Sequence, residues 1–462
     1  MLALRYDRQA RIDGWDQEKI ATLRVGVIGG DCGAYYTLLP LVAMGVGERG
    51  EIRILSNNLN RIKLLDARIY IPDDLISILS KVNPLISKSI RFLRVDLIRR
   101  ELTVFLRNLD VIIDTTNNPT SKAIAAEYAV KNNIRYISFS TMPCYGRLEF
   151  VWDNINENKP RLKDLDYPFF LPEFRSAQQE ELMSILFGGF AASFISNYAA
   201  SKKQGQGRII YNLLSSDRLS LPNISDYTKF IIKYIYKIPS SIDFSNFRVV
   251  MIGAGALGNP VAIALAKIRI GELIIIDYDR VEETNLNRQY CYYDSVNEYK
   301  AKALAEKVKI MSGMETKAVP VIEEFNLDKV LNGKLRKYFE KADLILALVD
   351  NFDARADAAD LAEILKKPLI IGGTSPFSGH MAIYIPGKTP NLNDLMKYRE
   401  HAEKTDRLRC IEVREPSVVT SNQVIGGLIA LEILKVLRPD IYGEPSLRPI
   451  HFYSYMGGRL EV

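Results

Sequence analysis

Residues 247–279 read FRVVMIGAGALGNPVAIALAKIRIGELIIIDYD. A β-branched apolar run, Arg248 to Ile252, enters a Gly-rich turn, Gly253-x-Gly255-x-x-Gly258. An apolar stretch of helical period follows, and then a second apolar run that ends on Asp277. Strand, Gly-rich turn, helix and strand in that order open a βαβ unit on a parallel sheet. The glycines let the backbone approach a phosphate, and the helix N-terminus offers unpaired N–H donors and the positive end of its dipole. Asp277 stands 19 residues beyond Gly258, where a carboxylate accepts from ribose hydroxyls. Taken alone the turn says nucleotide, with a dinucleotide cofactor its commonest occupant.

Outward from this stretch the chain repeats itself. Arg24-Val25-Gly26-Val27-Ile28-Gly29 matches Arg248-Val249-Val250-Met251-Ile252-Gly253. LDVIIDTTNNP (109–119) matches ADLILALVDNF (342–352), and STMPCYG (140–146) matches GTSPFSG (373–379), both at an offset of 233 residues. LFGGFAAS (186–193) echoes VIGGLIAL (424–431). Landmarks recurring in the same order mark a duplicated domain. The expected architecture is α/β, with two tandem Rossmann-like domains whose sheets are mostly parallel: residues 1–213, a connector at 214–245, and residues 246–462.

Composition agrees with that size. The 462 residues, 47% hydrophobic and 25% charged, suit two globular domains with real cores. Cys32, Cys144, Cys291 and Cys410 lie far apart without a C-x-x-C pair, so neither a zinc knuckle nor a disulfide framework is readable. His380, His401 and His451 lack metal-binding spacing. The net charge of +6 is spread among interspersed acids and bases, so neither a nucleic acid nor a membrane surface is an expected partner. The opening MLALRYDRQARIDGW puts charges where a signal peptide needs an apolar stretch, and no run of about 18 uninterrupted apolar residues occurs. The expectation is a cytoplasmic protein without a spanning helix.

Beyond the turn the residues stop looking like a hydride-transfer site. Asp277-Tyr-Asp279-Arg-Val-Glu-Glu-Thr-Asn285-Leu-Asn287-Arg288-Gln289 is followed twelve residues after Arg288 by Lys300, and then by Ala347-Leu-Val-Asp350-Asn351-Phe-Asp353-Ala-Arg355. An enzyme that breaks the α–β phosphate bond of ATP needs cations to offset the triphosphate, here Arg288 and Lys300, and a carboxylate such as Asp350 to hold magnesium.

D-x-D-x-V-x-x-x-N-L-x-R-Q, the following lysine and (A/T)-L-x-D-N-x-x-x-R resemble the adenylating domain of the ubiquitin-like-protein activating enzymes, the ThiF/MoeB/HesA type. Bacterial relatives of that type adenylate the sulfur carriers of molybdopterin and thiamine synthesis. The N-terminal Tyr6-Asp7-Arg8-Gln9 with Trp15-Gln17-Glu18 resembles that family's opening, so the likeness covers nearly the whole chain. The resemblance implies ATP and Mg2+. It implies that Gly253, Gly255, Gly258, Asp277 and Asp279 frame the nucleotide, that Asn285, Arg288 and Lys300 engage the phosphates, and that Asp350 binds the metal.

The first copy is a control within the same chain. Asp31 replaces Gly255 and Ser56 replaces Asp277. The loop to Asn58-Leu59-Asn60-Arg61 is six residues shorter, Asp73 stands where lysine is expected, and Asn117 replaces Asp350. Each change is hostile to Mg-ATP, so the first copy is expected to be inactive. The resemblance supplies a reason to keep it: such domains pack as a symmetric pair, here an intrachain pseudo-dimer, and the arginine of Y-x-R-Q, Arg8, reaches the partner's ATP. The second copy has IDFSN before its first strand instead.

Many members of that family next form a thioester. Cys410 lies in the charged crossover segment, 386–416, where Arg407, Arg409 and Arg414 favour a thiolate. Cys32, Cys144 and Cys291 read as structural. The expected reaction is adenylation of the C-terminal carboxylate of a small ubiquitin-like or sulfur-carrier protein ending in Gly-Gly. Transfer to Cys410, to a conjugating enzyme or to an external sulfur donor remains open as the next step. Readings from other classes are a nicotinamide-dependent oxidoreductase, a non-catalytic scaffold and an adenylating enzyme acting on a small peptide.

Overall fold

The computed structural model describes residues 4–57, 62–63, 68–69, 72–142, 144–152, 177–204, 206–213, 239, 242–406, 415–454 and 459–461. The chain divides into two compact units, each built mainly on one copy of the repeat. One comprises Ile12–Ile242 with Tyr453–Arg459, and the other Asp243–Phe452 with Met1–Arg11 and Leu460–Val462.

In the first copy the strands are β1 (Arg24–Ile28), β2 (Glu51–Ser56), β3 (Ile62–Lys63), β4 (Arg68–Ile69), β5 (Ile90–Arg94), β6 (Val111–Asp114), β7 (Arg135–Met142), β8 (Tyr145–Val151) and β9 (Gln206–Asn212). Strands β3 and β4 form a small antiparallel ribbon, and the others one sheet in the order β5-β2-β1-β6-β7-β8-β9. In the second copy β10 (Arg248–Ile252), β11 (Glu272–Ile276), β12 (Lys317–Val321), β13 (Leu344–Ala347), β14 (Leu369–Ser375), β15 (Ser378–Tyr384), β16 (Ile450–Tyr453) and β17 (Arg459–Glu461) order as β12-β11-β10-β13-β14-β15-β16-β17. The two orders superpose strand for strand up to the last one. In each copy the first strand pairs in parallel on both sides: Val25 with Ile52 and Val111, Val249 with Leu273 and Leu344. The sheet turns antiparallel from β7–β8 onward in the first copy, β8–β9 included, and at β14–β15 in the second. Two mostly parallel Rossmann-like sheets are what the repeated βαβ pattern predicts.

Strands of a parallel sheet covered on both faces read as continuous apolar runs. Every residue of β6 and of β13 is buried, as are Val249–Ile252 of β10. The repeat extends to single hydrogen bonds. Thr141 and Ser184 pair through their hydroxyls at 3.2 Å in the first copy, and Thr374 Oγ1 donates to Asn422 Oδ1 at 2.8 Å in the second. Each pair ties a strand to the long apolar helix that closes its unit. Those helices, Gln179–Ala199 and Val419–Leu437, are long and apolar enough to cross a bilayer by length and composition, although neither contains an uninterrupted apolar run. In both, 94% of the apolar window is buried in the fold, the burial pattern of a core helix.

In each sheet the strand order reverses direction at the first strand, between β2 and β6 or between β11 and β13. Ligands of open α/β sheets bind in the crevice outside the carboxyl ends of the strands at such a switch point. The Gly-rich turn of the second copy leaves β10 at that place.

Candidate nucleotide site of the second copy

The three glycines of the turn have three different reasons to be glycine. Gly253 sits at φ +95°, and a Cβ there would lie 2.5 Å from the Leu348 carbonyl oxygen. Gly258 opens the helix Gly258–Lys267, where a Cβ would come within 2.7 Å of the Gly253 carbonyl oxygen. Around Gly255 a Cβ would meet nothing within 4 Å. The fold therefore leaves open space at Gly255, the glycine whose place Asp31 takes in the first copy. The carbonyls of the turn are drawn inward: Tyr292 donates its hydroxyl to Ala254 O, and Asn259 Nδ2 donates to Gly255 O at 3.0 Å. The helix begins at Leu257 without a side-chain cap, so no side chain competes with an external anion for its first amides.

Asp277, just past the end of β11, accepts from Ala254 N at 2.7 Å with one oxygen and from Asp279 N at 2.9 Å with the other. It shapes the turn as well as facing it. Each carboxylate oxygen has a second lone pair, so acceptance from ribose hydroxyls is still open. Burial pushes its carboxyl above the ordinary value, while the nearby Lys300 ammonium pulls the other way. Lys300, the first residue of the helix Lys300–Ser312, is 8% exposed and donates from Nζ to Asp279 Oδ2 at 2.7 Å. Its partner Asp279 is exposed, so the ammonium is held at the rim by an acid that can yield it to a phosphate.

Arg288 is 6% exposed, and only its Nη1 meets protein acceptors among the described residues: Thr284 O at 2.7 Å and Asn287 Oδ1 at 3.0 Å. Burial first, and the charge of Arg8 second, bring its guanidinium down to about 9. Asp350, Glu282 and Asp7 pull the other way, so two guanidiniums and these acids face one another in a largely desolvated place. Asn285 serves the loop, its Oδ1 accepting from Glu282 N at 3.0 Å in a capping box. Arg8 belongs to the same compact unit as Arg288. Residues 4–11 are fastened there by Arg5 Nη1 donating to Leu286 O at 3.2 Å, Arg8 Nη1 donating to Glu415 O at 3.0 Å, and Ser417 N donating to Arg8 O at 3.1 Å.

Asp350 follows β13 and is exposed. Its charge is felt by Arg288 and by Arg355. Among the described residues no three His, Cys, Asp or Glu side chains gather as a metal cage. Mg2+ is commonly bound by one or two carboxylates plus substrate phosphates, and an exposed carboxylate such as Asp350 is a donor of the kind that ion takes. Arg355 is a residue whose task the motif alone does not disclose. It is buried, and Nε and Nη2 both donate to Val349 O, at 3.0 and 2.8 Å, clamping the backbone immediately before Asp350.

The first copy fills the same place with its own charge. Asp31 caps the helix Cys32–Met44, accepting from Ala34 N at 3.3 Å, so a carboxylate of the protein sits where an anion would bind. Glu180 is pushed up to about 7 by burial and by its neighbours Asp31 and Glu181. Ser56 is buried at the end of β2, and Asn117 exchanges hydrogen bonds with the Thr141 backbone at 3.1 and 3.2 Å. Residues 58–61, the Asp73 side chain, Cys410 and its neighbouring arginines lie outside the described residues. Cys32, Cys144 and Cys291 are not joined in disulfides. Burial raises the Cys291 thiol to about 12 and that of Cys32 well up, so neither is poised as a thiolate.

Residues 238–461 match the ThiF family. The sulfur carrier protein adenylyltransferase of Thermus thermophilus is 30% identical over 203 residues, which are 41% of this chain and 68% of that protein. The chain belongs to the ThiF family. The adenylyltransferase and sulfurtransferase MOCS3 of Caenorhabditis briggsae is 29% identical over 226 residues, 47% of this chain and 52% of that protein. The ThiF-family chain spans between about half and two thirds of the length of MOCS3-type relatives. The crystal structure of E. coli MccB with selenomethionyl MccA is similar over 53% of this chain and 79% of its own, at 21% identity and a TM-score of 0.42.

Proposed function

We propose that the second copy binds Mg-ATP and adenylates the C-terminal carboxylate of a small ubiquitin-like or sulfur-carrier protein ending in Gly-Gly. The observation that carries this reading is the pairing of an open Gly255 with three cations, Arg8, Arg288 and Lys300, at the carboxyl end of a parallel sheet. A dinucleotide carries two phosphates joined by one anhydride bridge that hydride transfer leaves intact, and needs no such set; a triphosphate about to release pyrophosphate does.

In this reading the Gly253–Gly258 turn and the uncapped helix receive phosphate oxygens, and Asp277 accepts from the ribose. Lys300 leaves Asp279 for the phosphates, and Arg288 offers the N–H donors that the protein does not use. Asp350 would hold the metal, which when bound would offset the negative charge of the phosphate oxygens. A carboxylate oxygen of the substrate protein attacks the α-phosphorus. The bond from that phosphorus to the bridging oxygen breaks, pyrophosphate leaves with the electron pair, and an acyl-adenylate remains without net proton transfer. The side chains position charge and do no acid–base work. The names of the relatives, a sulfur carrier protein adenylyltransferase in T. thermophilus and an adenylyltransferase and sulfurtransferase in C. briggsae, support the substrate class.

Cys410 is the proposed acceptor for a following thioester. Cys410→Ala is expected to leave adenylate formation intact and to remove any thiol-sensitive conjugate between this chain and its substrate protein. A conjugate that persists in the variant would place the acceptor elsewhere. The activity itself is tested by ATP–pyrophosphate exchange. It should be stimulated by a Gly-Gly-ending carrier and unaffected by NAD, whereas NAD-dependent reduction with no exchange would replace this reading by the oxidoreductase one.

A further inference from the structure

Gln9 and Asn287 are both 0% exposed. Asn287 Nδ2 donates to Gln9 Oε1 at 3.1 Å, and Asn287 Oδ1 accepts from Arg288 Nη1 at 3.0 Å. Arg288 Nη1 also donates to Thr284 O at 2.7 Å. Both hydrogens of that nitrogen are thus taken by protein acceptors in fixed directions, which stops the planar fork from turning. An asparagine amide is nearly symmetric in shape, and rotated by half a turn it would set an NH2 group against the guanidinium, donor against donor. What selects the productive orientation is the acceptor on the other side, Gln9 Oε1. Gln9 is itself held in place, because its segment is anchored by Arg5 on Leu286 O at 3.2 Å and by Ser417 N on Arg8 O at 3.1 Å.

We propose that Gln9 is a positioning residue: by fixing the amide of Asn287 it aims the Arg288 guanidinium at the phosphates. The proposal rests on the reading of Arg288 as a phosphate contact. It makes one short helix, Asp7–Ala10, responsible for two tasks. Arg8 supplies a second positive charge, and the next residue keeps Arg288 from swinging away from it.

The test is calorimetric titration of the full chain with ATP in the presence of Mg2+, for the wild type, Gln9→Met, Arg288→Ala and the double variant, with melting temperatures recorded alongside. Gln9→Met keeps the volume and removes the acceptor, and is expected to weaken ATP about fivefold to tenfold, the effect of one hydrogen bond. Arg288→Ala weakens it more, and the double variant no further than Arg288→Ala, because the effect of Gln9 passes through the guanidinium. An equal extra loss in the double variant would make Gln9 a packing residue and overturn the proposal alone. Unchanged ATP affinity in Arg288→Ala would overturn the reading of the site and the proposal with it. Asn287→Asp presents an oxygen in either orientation, so adding Gln9→Met to it should change nothing. A full penalty there also overturns the relay, and this pair keeps the test usable if Gln9→Met alone does not fold.

Discussion

Gly255→Ala separates binding from folding more cleanly than any other single change in this chain. The added methyl has open space, with nothing within 4 Å, and Gly255 is not among the glycines at positive φ. Replacing such a glycine by alanine stabilises a fold by about 0.4–1 kcal/mol, through the unfolded chain. A phosphate drawn up to the turn meets the same methyl as an obstruction. Overpacking against a rigid neighbour costs about 1–3 kcal/mol, which corresponds to a loss of ATP affinity of roughly 5- to 150-fold. The two effects have opposite signs. Gly253→Ala gives the internal comparison: at φ +95°, with the Leu348 carbonyl 2.5 Å from its new Cβ, it should lower the melting temperature. The assay is thermal unfolding without nucleotide beside calorimetric titration with Mg-ATP. A Gly255→Ala chain that melts at or above the wild-type temperature and binds ATP normally would refute the assignment of the turn as a phosphate cradle.

Other outcomes follow from the same geometry. Asp350→Asn should leave the melting temperature unchanged, because Asp350 is exposed and the first copy accommodates Asn117 at the matching place. It should abolish productive use of Mg-ATP, and loss of fold and activity together would recast the residue as structural. Arg8→Ala should weaken ATP binding with little change in stability, and lysine should restore little where a planar guanidinium is required; full activity of the alanine variant would leave Arg8 without a role at the site. Glu180 holds its proton more tightly folded, at about 7, than unfolded, near 4.5. Its stabilisation is therefore complete below the unfolded value and is lost as pH rises through 7, an order of about 3 kcal/mol at most. Glu180→Gln should melt above the wild type at pH 8 and with it near pH 4.5. Identical pH profiles would remove Glu180 from the linkage.

The fold was readable because the two periodicities and the Gly-rich turn occur twice in one order, and the paired strand sequences β1-β2 and β10-β11 obey them. Of the candidate site the charges were readable, Lys300 as an ammonium and Asp350 as a carboxylate, whereas the positive φ that Gly253 adopts shows only in the backbone. What stayed hidden were the tasks that depend on a partner far along the chain. Nothing in the spelling of Gln9 says that it meets Asn287, 278 residues away. Arg355 could be quoted from the motif, but its clamp on Val349 needs the helix Phe352–Leu365 to place it. The packing of residues 4–11 in the unit of the second copy is likewise a long-range contact, which the resemblance of Tyr6-Asp7-Arg8-Gln9 implies and no periodicity shows. Asp31 could be seen to expel a phosphate. That it caps its own helix, supplying the negative charge the helix end would otherwise recruit, required the hydrogen bond to Ala34. The two core helices escape a search for unbroken apolar runs because polar residues such as Glu432, whose Oε2 accepts from Ser446 N at 2.9 Å, are buried within them.

The most direct test of the central claim is ATP–pyrophosphate exchange by the wild type and Lys300→Ala, side by side, with a Gly-Gly-ending carrier protein. Among the described residues Lys300 forms one ion pair, with the exposed Asp279, so its loss is expected to leave the fold intact. Losing one preorganised donor to developing charge costs about 2.7–4 kcal/mol, so exchange should fall roughly 100- to 1,000-fold while the melting temperature barely moves. Exchange that persists near the wild-type rate in a folded Lys300→Ala chain would contradict the placement of adenylation in the second copy.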